Sequence, residues 1–275
     1  MTLLLLSAAL LAAGSAHDAR PRSPRVASDT AQCAPSERRM DVTSALEGQL
    51  ADPTFANGEE LHYSASFEKL HLSIHVGGAE MRFVGRDTIR GRVAWKASFT
   101  IGGGFSGLSV HDTTMSWFDS LSFNSYRFVQ NVHDPHYRAN RDTQIFPEER
   151  SYRTKDGKVR ASVADPLDDV SLVYLVRTLP LEPGQCYVFR RYFQPEGNPV
   201  VVHVVRRDTI DVPAGRFVAL LLRPQITTSR MFSKNGSARL WLSDDSARTV
   251  VRLETNLGFG SINLYLRQIG PDPSR

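Results

Sequence analysis

From about Asn57 onwards, apolar and polar residues alternate along most of this chain. Leu61, Tyr63 and Ala65 alternate with His62, Ser64 and Ser66. Near the other end, Ile262, Leu264 and Leu266 alternate with Ser261, Asn263, Tyr265 and Arg267. Thr249, Val251 and Leu253 face away from Arg248, Arg252 and Glu254. A period of two marks antiparallel strands that are apolar on one side and wet on the other. Two runs differ: "VVVHVV" (Val200–Val205) and "FVALLL" (Phe217–Leu222) are apolar on both faces. They belong centrally, with cover on each side. Asp156-Gly157 between "RSYRT" and "KVRASV" is a two-residue hairpin signal. Pro213-Ala214-Gly215 and Asn235-Gly236 mark further turns. Roughly a dozen strands at this spacing predict a mainly β fold, a large, strongly curved antiparallel sheet arranged as an open barrel or a sandwich.

One segment breaks the alternation. "DPLDDVSLVYLVRTLP" offers Asp165 as N-cap and Pro166 at the first helical position, with Asp168 and Asp169 in the first turn, where the helix dipole favours acids. Leu172 to Val176 is apolar nearly all round and Pro180 closes the segment. A helix with no polar face must be buried. The expectation is one buried helix over about 166–178 against the concave face of the sheet. Leu172, Val173 and Val176 are then the candidate lining of an apolar groove.

The N-terminal stretch carries the expectation of a compartment. "MTLLLLSAALLAAGSAHD" carries an apolar run from Leu3 to Ala13 and then small residues before His17, the pattern of a secretory signal cleaved after Ala16. A run of eleven residues falls short of the about 20 that span a bilayer, and no later run is longer. The predicted division is a signal peptide at 1–16, a flexible segment at 17–56 and a single β-rich domain at 57–270. The flexible segment is rich in Arg, Pro, Ser and Asp, with one helical turn around Val42–Gln49. The expected location is the periplasm or cell envelope. The two cysteines, Cys33 and Cys186, are then either a disulfide or two separate thiols, and an even count in an exported chain permits the first.

Net charge is +4 and the pI about 9.2, a mild basic bias that suits lipid headgroups or cell-wall polymer. Nucleic acid is not an expected partner, because an exported protein seldom meets it. Arg138, Arg141, Arg150, Arg153, Lys155, Lys158 and Arg160 cluster with Glu148 and Glu149. On a sheet face such residues serve solubility and edge protection, or else meet an anionic headgroup or glycan.

Several stretches imitate chemistry. Asp244-Asp245 lies between "RLWLS" and "ARTVVRLE", where acids bond their own backbone at a strand corner; a catalytic pair would have to converge on a cleft. "GGGFSGLS" fails as a nucleophile elbow because Leu108, not glycine, stands two after Ser106. No GK[ST] follows, so it is no phosphate loop either. His71 and His75 share a strand face but sit roughly 13 Å apart, too far for one zinc. His133, Asp134 and His136 flank Pro135 without an evident third ligand. No metal, cofactor or catalytic residue is expected.

"GEELHYSASF", "DPLDDVSLVYLVRTLPLEPGQ", "DTIDVPAGRFVAL" and "ARLWLSDDSARTVVRLE" resemble, in this order, the successive motifs of an exported bacterial family, domain of unknown function 3108. The resemblance covers roughly Asn57 to Ile269. It implies a β-rich envelope protein, similar in outline to periplasmic lipoprotein carriers with an open barrel and helical plug, and brings no catalytic residues with it. The leading expectation is a non-catalytic envelope protein whose curved sheet and helix enclose a groove for a lipid-like ligand. A structural or interaction module that meets another envelope protein is the alternative, and an unrecognised hydrolase is the third.

Overall fold

In the computed structural model, residues 32–43, 55, 58–69, 72–105, 108–133, 138–226, 237–256 and 261–271 are described. The predicted signal peptide and Ser106, His71, Asp134, His136 and Asn235-Gly236 lie outside them.

Among the described residues fifteen strands form one open sheet, so the sandwich is excluded and the curved sheet stands. In chain order the strands begin with β1 (Arg38–Val42), β2 (Glu60–Lys69), β3 (Leu72–Ile89), β4 (Arg92–Phe105) and β5 (Leu108–Phe118). Next come β6 (Ser125–His133), β7 (Arg138–Phe146), β8 (Ser151–Arg153) and β9 (Val159–Ala161). The helix α1 (Asp169–Arg177) precedes β10 (Gln185–Phe189), β11 (Val200–Val212) and β12 (Gly215–Ile226). β13 (Ser237–Ser243), β14 (Val250–Asn256) and β15 (Ser261–Ile269) complete the chain. The spatial order is β1-β10-β11-β12-β13-β14-β15-β2-β3-β4-β5-β6-β7-β8-β9. Two meanders, β2 to β9 and β10 to β15, meet where β15 pairs with β2.

The alternation read from sequence chooses the inner face. Leu61, Tyr63 and Ala65 on β2, Met81 and Phe83 on β3, and Leu264 and Leu266 on β15 enter one core with α1. The doubly apolar runs are covered on the outside by small clusters rather than by a second layer. Val201 packs with Cys186, Val188 and Cys33, and Ala219 and Leu221 pack with Trp241. The glycine run of β4 marks a close approach to β3. A Cβ at Gly77 (φ +143) would overlap the Gly102 carbonyl, and one at Gly103 the Val76 carbonyl. Only glycine allows strands to approach this closely.

Several expectations need correction, and one open alternative, the disulfide, is settled. Residues 17–56 are not all tether. Arg38–Val42 forms β1, and Phe55 is buried in the main core. Val42 belongs to this strand rather than to a helical turn. β1 pairs parallel to β10, against the expected antiparallel pattern, from Arg38 opposite Gln185 to Val42 opposite Phe189. Cys33 and Cys186 are joined, with Cα atoms 5.7 Å apart, and this pins the start of the segment. The N-cap of α1 is Asp168, not Asp165, because the residues between them stay extended. The Pro166 carbonyl accepts from Ser125 N (2.7 Å), and Leu167 bonds Arg191 and Phe193 through its own backbone. The Asp156-Gly157 turn also runs longer than two residues, from Thr154 to Lys158.

Candidate functional site

α1 lies on the inner face over β4 and β5, and it divides the space that the curved sheet encloses. Its N-terminus is fastened by hydroxyls. Asp168 Oδ1 accepts from Val170 N and Ser171 N, both at 2.9 Å, and Oδ2 accepts from Ser116 Oγ of β5. Asp168 N in turn donates to Ser125 Oγ of β6 and Ser171 Oγ, again at 2.9 Å. Burial pushes the Asp168 carboxyl up to about 6 although these donors pull it down. Beside it, Asp169 faces the Tyr192 hydroxyl, whose proton burial and then the charges of Asp169 and Asp168 hold well above the usual tyrosine range.

The C-terminus is fastened by charge. Arg177 donates to both Glu59 oxygens (2.7 and 2.6 Å) and to the carbonyls of Arg248 (2.9 Å) and Ala247 (3.1 Å). Its guanidinium also lies 4.9 Å from the Phe55 ring centre. Burial lowers the proton affinity of Arg177, and Glu59 more than restores it.

On one flank of α1 the inner face is apolar. Val173 lines a cavity of about 30 Å³ with Met81, Phe99, Leu240 and Leu253, so one of the three predicted lining residues does line a space. Leu172 and Val176 are buried in the core instead. Beyond the helix, Val76, Ile101, Leu240, Leu253 and Ile262 remain only partly buried.

On the other flank the same face turns polar. A single row of paired residues crosses five strands, Met81 to Phe99, Thr114, Gln130 and Arg141. Four strand spacings make this row about 19 Å long. It ends in an open cleft of about 490 Å³ between β6–β9 and residues 192–194. Of the basic cluster noted in the sequence, Arg141, Lys155 and Arg160 reach this cleft. Arg153 stacks on Phe146 and Lys158 pairs with Asp156. The aromatic floor, Phe128, Tyr152 and Phe193, escaped the sequence reading, because Phe193 arrives from the irregular stretch after β10.

Other clusters carry less. A hollow of about 510 Å³ on the outer face is walled by His62, His75, His111 and Glu80 over Gly78 and Gly102. Its histidines do not converge within ligating distance. Among the described residues, one group of metal-type donors does converge, Glu37, Cys186 and His203. Cys186 is spent in the disulfide, and His203 Nδ1 bonds Glu37 (2.8 Å) instead. Asp244 and Asp245 form a corner. Asp245 Oδ1 accepts from Ala247 N and Arg248 N, while Arg207 and then Arg248 hold the Asp244 carboxyl below the usual range.

The family described as "Protein of unknown function (DUF3108)" matches residues 61–267. No curated protein matches the chain. Among solved structures, the chain is similar to a β-barrel-like protein of domain of unknown function DUF1849 from Brucella abortus. That match has a TM-score of 0.53 and 9% identity, and covers 78% of this chain and 98% of the other. At this identity the likeness concerns the fold alone. A putative exported protein with YmcC-like fold from Bacteroides fragilis aligns at a TM-score of 0.35 with 11% identity, over 78% of this chain and 95% of the other. A putative lipoprotein from Parabacteroides distasonis gives 0.35 with 10% identity, over 80% and 100%.

Proposed function

The chain belongs to the DUF3108 family, whose description names no activity, and from its geometry we propose a non-catalytic binding protein of the cell envelope that takes a lipid-like molecule on its inner face. The observation that carries this reading is the apolar strip beyond α1. Val76, Ile101, Leu240, Leu253 and Ile262 come from five strands and stay partly exposed on the face that elsewhere forms the core. Ligand pockets are mostly apolar and about 300–1,000 Å³. The cavity of about 30 Å³ next to Val173 is far smaller, so the ligand lies along the strip and only its end enters beside the helix. The Cys33–Cys186 bond supports an oxidising compartment, in keeping with the N-terminal apolar run.

A fluorescent hydrophobic probe tests the reading. It should bind saturably to the native protein and be displaced by a long-chain lipid. Leu253→Asp, at a partly exposed position, should abolish the binding while the protein still melts cooperatively. Absence of saturable binding would leave the smallness of the cavity as the leading fact. That fact favours the alternative, a module that contacts another envelope protein.

A further inference from the structure

We propose that, when the Cys33–Cys186 bond is reduced, its two thiolates form a zinc site with His203 and Glu37. The metal then ties the N-terminal segment to the sheet at the place where the disulfide ties it in the oxidised chain. The site lies on the outer face and is independent of any ligand on the inner one.

Two short local structures bring the donors together. In the first, Cys33 and Glu37 flank a turn, closed by Glu37 N donating to the Ala34 carbonyl (2.9 Å). Ala34 N donates in return to Glu37 Oε2 (2.7 Å), which folds the carboxylate back over the turn. In the second, Cys186 on β10 stands directly opposite His203 on β11. Opposite residues of an antiparallel pair share a face, with Cβ atoms about 4.5–5.5 Å apart. The turn lies over that face. The Cys186 sulfur, a His203 ring nitrogen and a Glu37 oxygen all come within 4.8 Å of one another. Cys33 Sγ, bonded to Cys186, joins the same group.

Reduction changes what this group can hold. The thiolate is the form of cysteine that ligates metal. Two thiolates, an imidazole and a carboxylate are a donor set for tetrahedral zinc. Zn–S bonds of about 2.3 Å at the tetrahedral angle place the two sulfurs about 3.8 Å apart. The Cα atoms are 5.7 Å apart, so rotation of the cysteine side chains supplies that separation. His203 is 2% exposed, and its Nδ1 meets both Glu37 oxygens at 2.8 Å. Its buried Nε2 has no partner among the described residues. Buried ring nitrogens normally find partners, so this imidazole has capacity to spare. Val188 and Val201 pack against the cysteines and keep the surround apolar, where charge attraction is stronger than in water.

The exchange balances. A dithiol reductant attacks Cys33 Sγ, the partly exposed sulfur, and Cys186 leaves as thiolate. The second thiolate of the reductant then displaces Cys33, so both electrons come from the dithiol, which ends as a disulfide. Zinc takes the two thiolates and the thiol protons are released. A disulfide oxidant reverses the sequence: it accepts the two electrons, the S–S bond forms again and zinc leaves. A newly made chain carries both thiols, so the metal form precedes the bond.

The test is titration of the full chain with cobalt(II), a spectroscopic stand-in for zinc, before and after reduction by a phosphine. The reduced chain should bind a single equivalent, with thiolate-to-cobalt charge transfer and the visible bands of a tetrahedral ion, and zinc should displace it. Zinc should bind more tightly than about 10 nM and raise the Tm of the reduced chain alone. Glu37→Gln, in the surface segment, should weaken binding at least about tenfold, and His203→Ala should weaken it further. The oxidised chain should show neither the bands nor the shift. Absence of tetrahedral bands in the reduced chain would overturn the proposal. Bands that persist unchanged in both variants would overturn it too, since the thiols alone would then be capturing metal. So would an equal rise in Tm for the oxidised chain, which would place the metal elsewhere.

Discussion

At its C-terminal end α1 is held by an ion pair that takes an arginine fully out of water; at its N-terminal end it is held by a carboxyl that meets hydroxyls and amides instead. Arg177 finds both oxygens of Glu59 and two backbone carbonyls, so nearly every donor of the fork is used. Among the described residues no cation pairs with Asp168, and its charge is spread over Val170 N, Ser171 N and the Ser116 hydroxyl. The difference shows in proton affinity. Arg177 keeps its charge more firmly than usual, while burial pushes Asp168 up towards neutrality. One anchor is fixed at any ordinary pH and the other titrates.

The strongest way to break the contrast is to remove Glu59. Glu59→Ala leaves a buried, uncompensated guanidinium, and breaking such a pair costs about 3–5 kcal/mol. A fall in Tm on the order of 10 °C is expected at pH 5 and at pH 8 alike. A fall of only a degree or two would mean that the surrounding carbonyls and the Phe55 ring suffice for Arg177.

The next test is pH. Asp168 binds its proton more tightly in the folded chain (about 6) than at its ordinary value of 3.8. Protonation therefore favours the fold. This contribution is fully present below about pH 4 and is lost as pH rises through about 6, by up to about 3 kcal/mol. Asp168→Asn keeps an acceptor for the helix amides and has no charge to bury. Its stability relative to the wild type should rise between pH 4 and pH 7 and level off above. Parallel melting curves for the two proteins across this range would rule out a titrating Asp168.

The smallest effect sharpens the comparison. Ser125 Oγ accepts from Asp168 N, which Ser171 Oγ also serves. Ser125→Ala should cost about 1 kcal/mol, read from the midpoint of urea unfolding. The same substitution at Ser171 removes the second acceptor, and the pair together should cost more than the sum. Strict additivity would show that the two hydroxyls act independently.

Much of this helix was visible in the sequence. A run that is apolar on all sides, opened by acids and closed by proline, could only be a buried helix. Which acid caps it was not visible, since Asp165 before Pro166 and Asp168 three residues on satisfy the same local rules. Tertiary bonds from Ser125 and Arg191 to the intervening backbone decide the matter. β1 was hidden for a similar reason. "RRMDV" has no clear alternation, and it becomes a strand because β10 offers it a parallel edge. The basic cluster was plain in composition, yet Arg141, Lys155 and Arg160 meet only because β7, β8 and β9 fold back side by side. Hydroxyls on the inner face, such as Ser116 and Ser125, broke the expected apolar alternation. That irregularity was the available signal for what they bind.

The pairing of β15 with β2, with Ser261 opposite Glu68, has a kinetic side. Each meander consists of neighbours in sequence and can zip up as it is made. The seam between them joins strands separated by almost the whole folded chain. Closing a long loop costs only about (3/2)RT ln n, so the burden falls mainly on folding rate. A chain delivered from its N-terminus, by ribosome or through a membrane pore, holds one side of β2 unpaired until residues 261–269 arrive. Exposed strand edges recruit other chains, so this interval is when the protein is most open to association with copies of itself. A truncation that removes β15 therefore bares not the rim of the sheet but its middle.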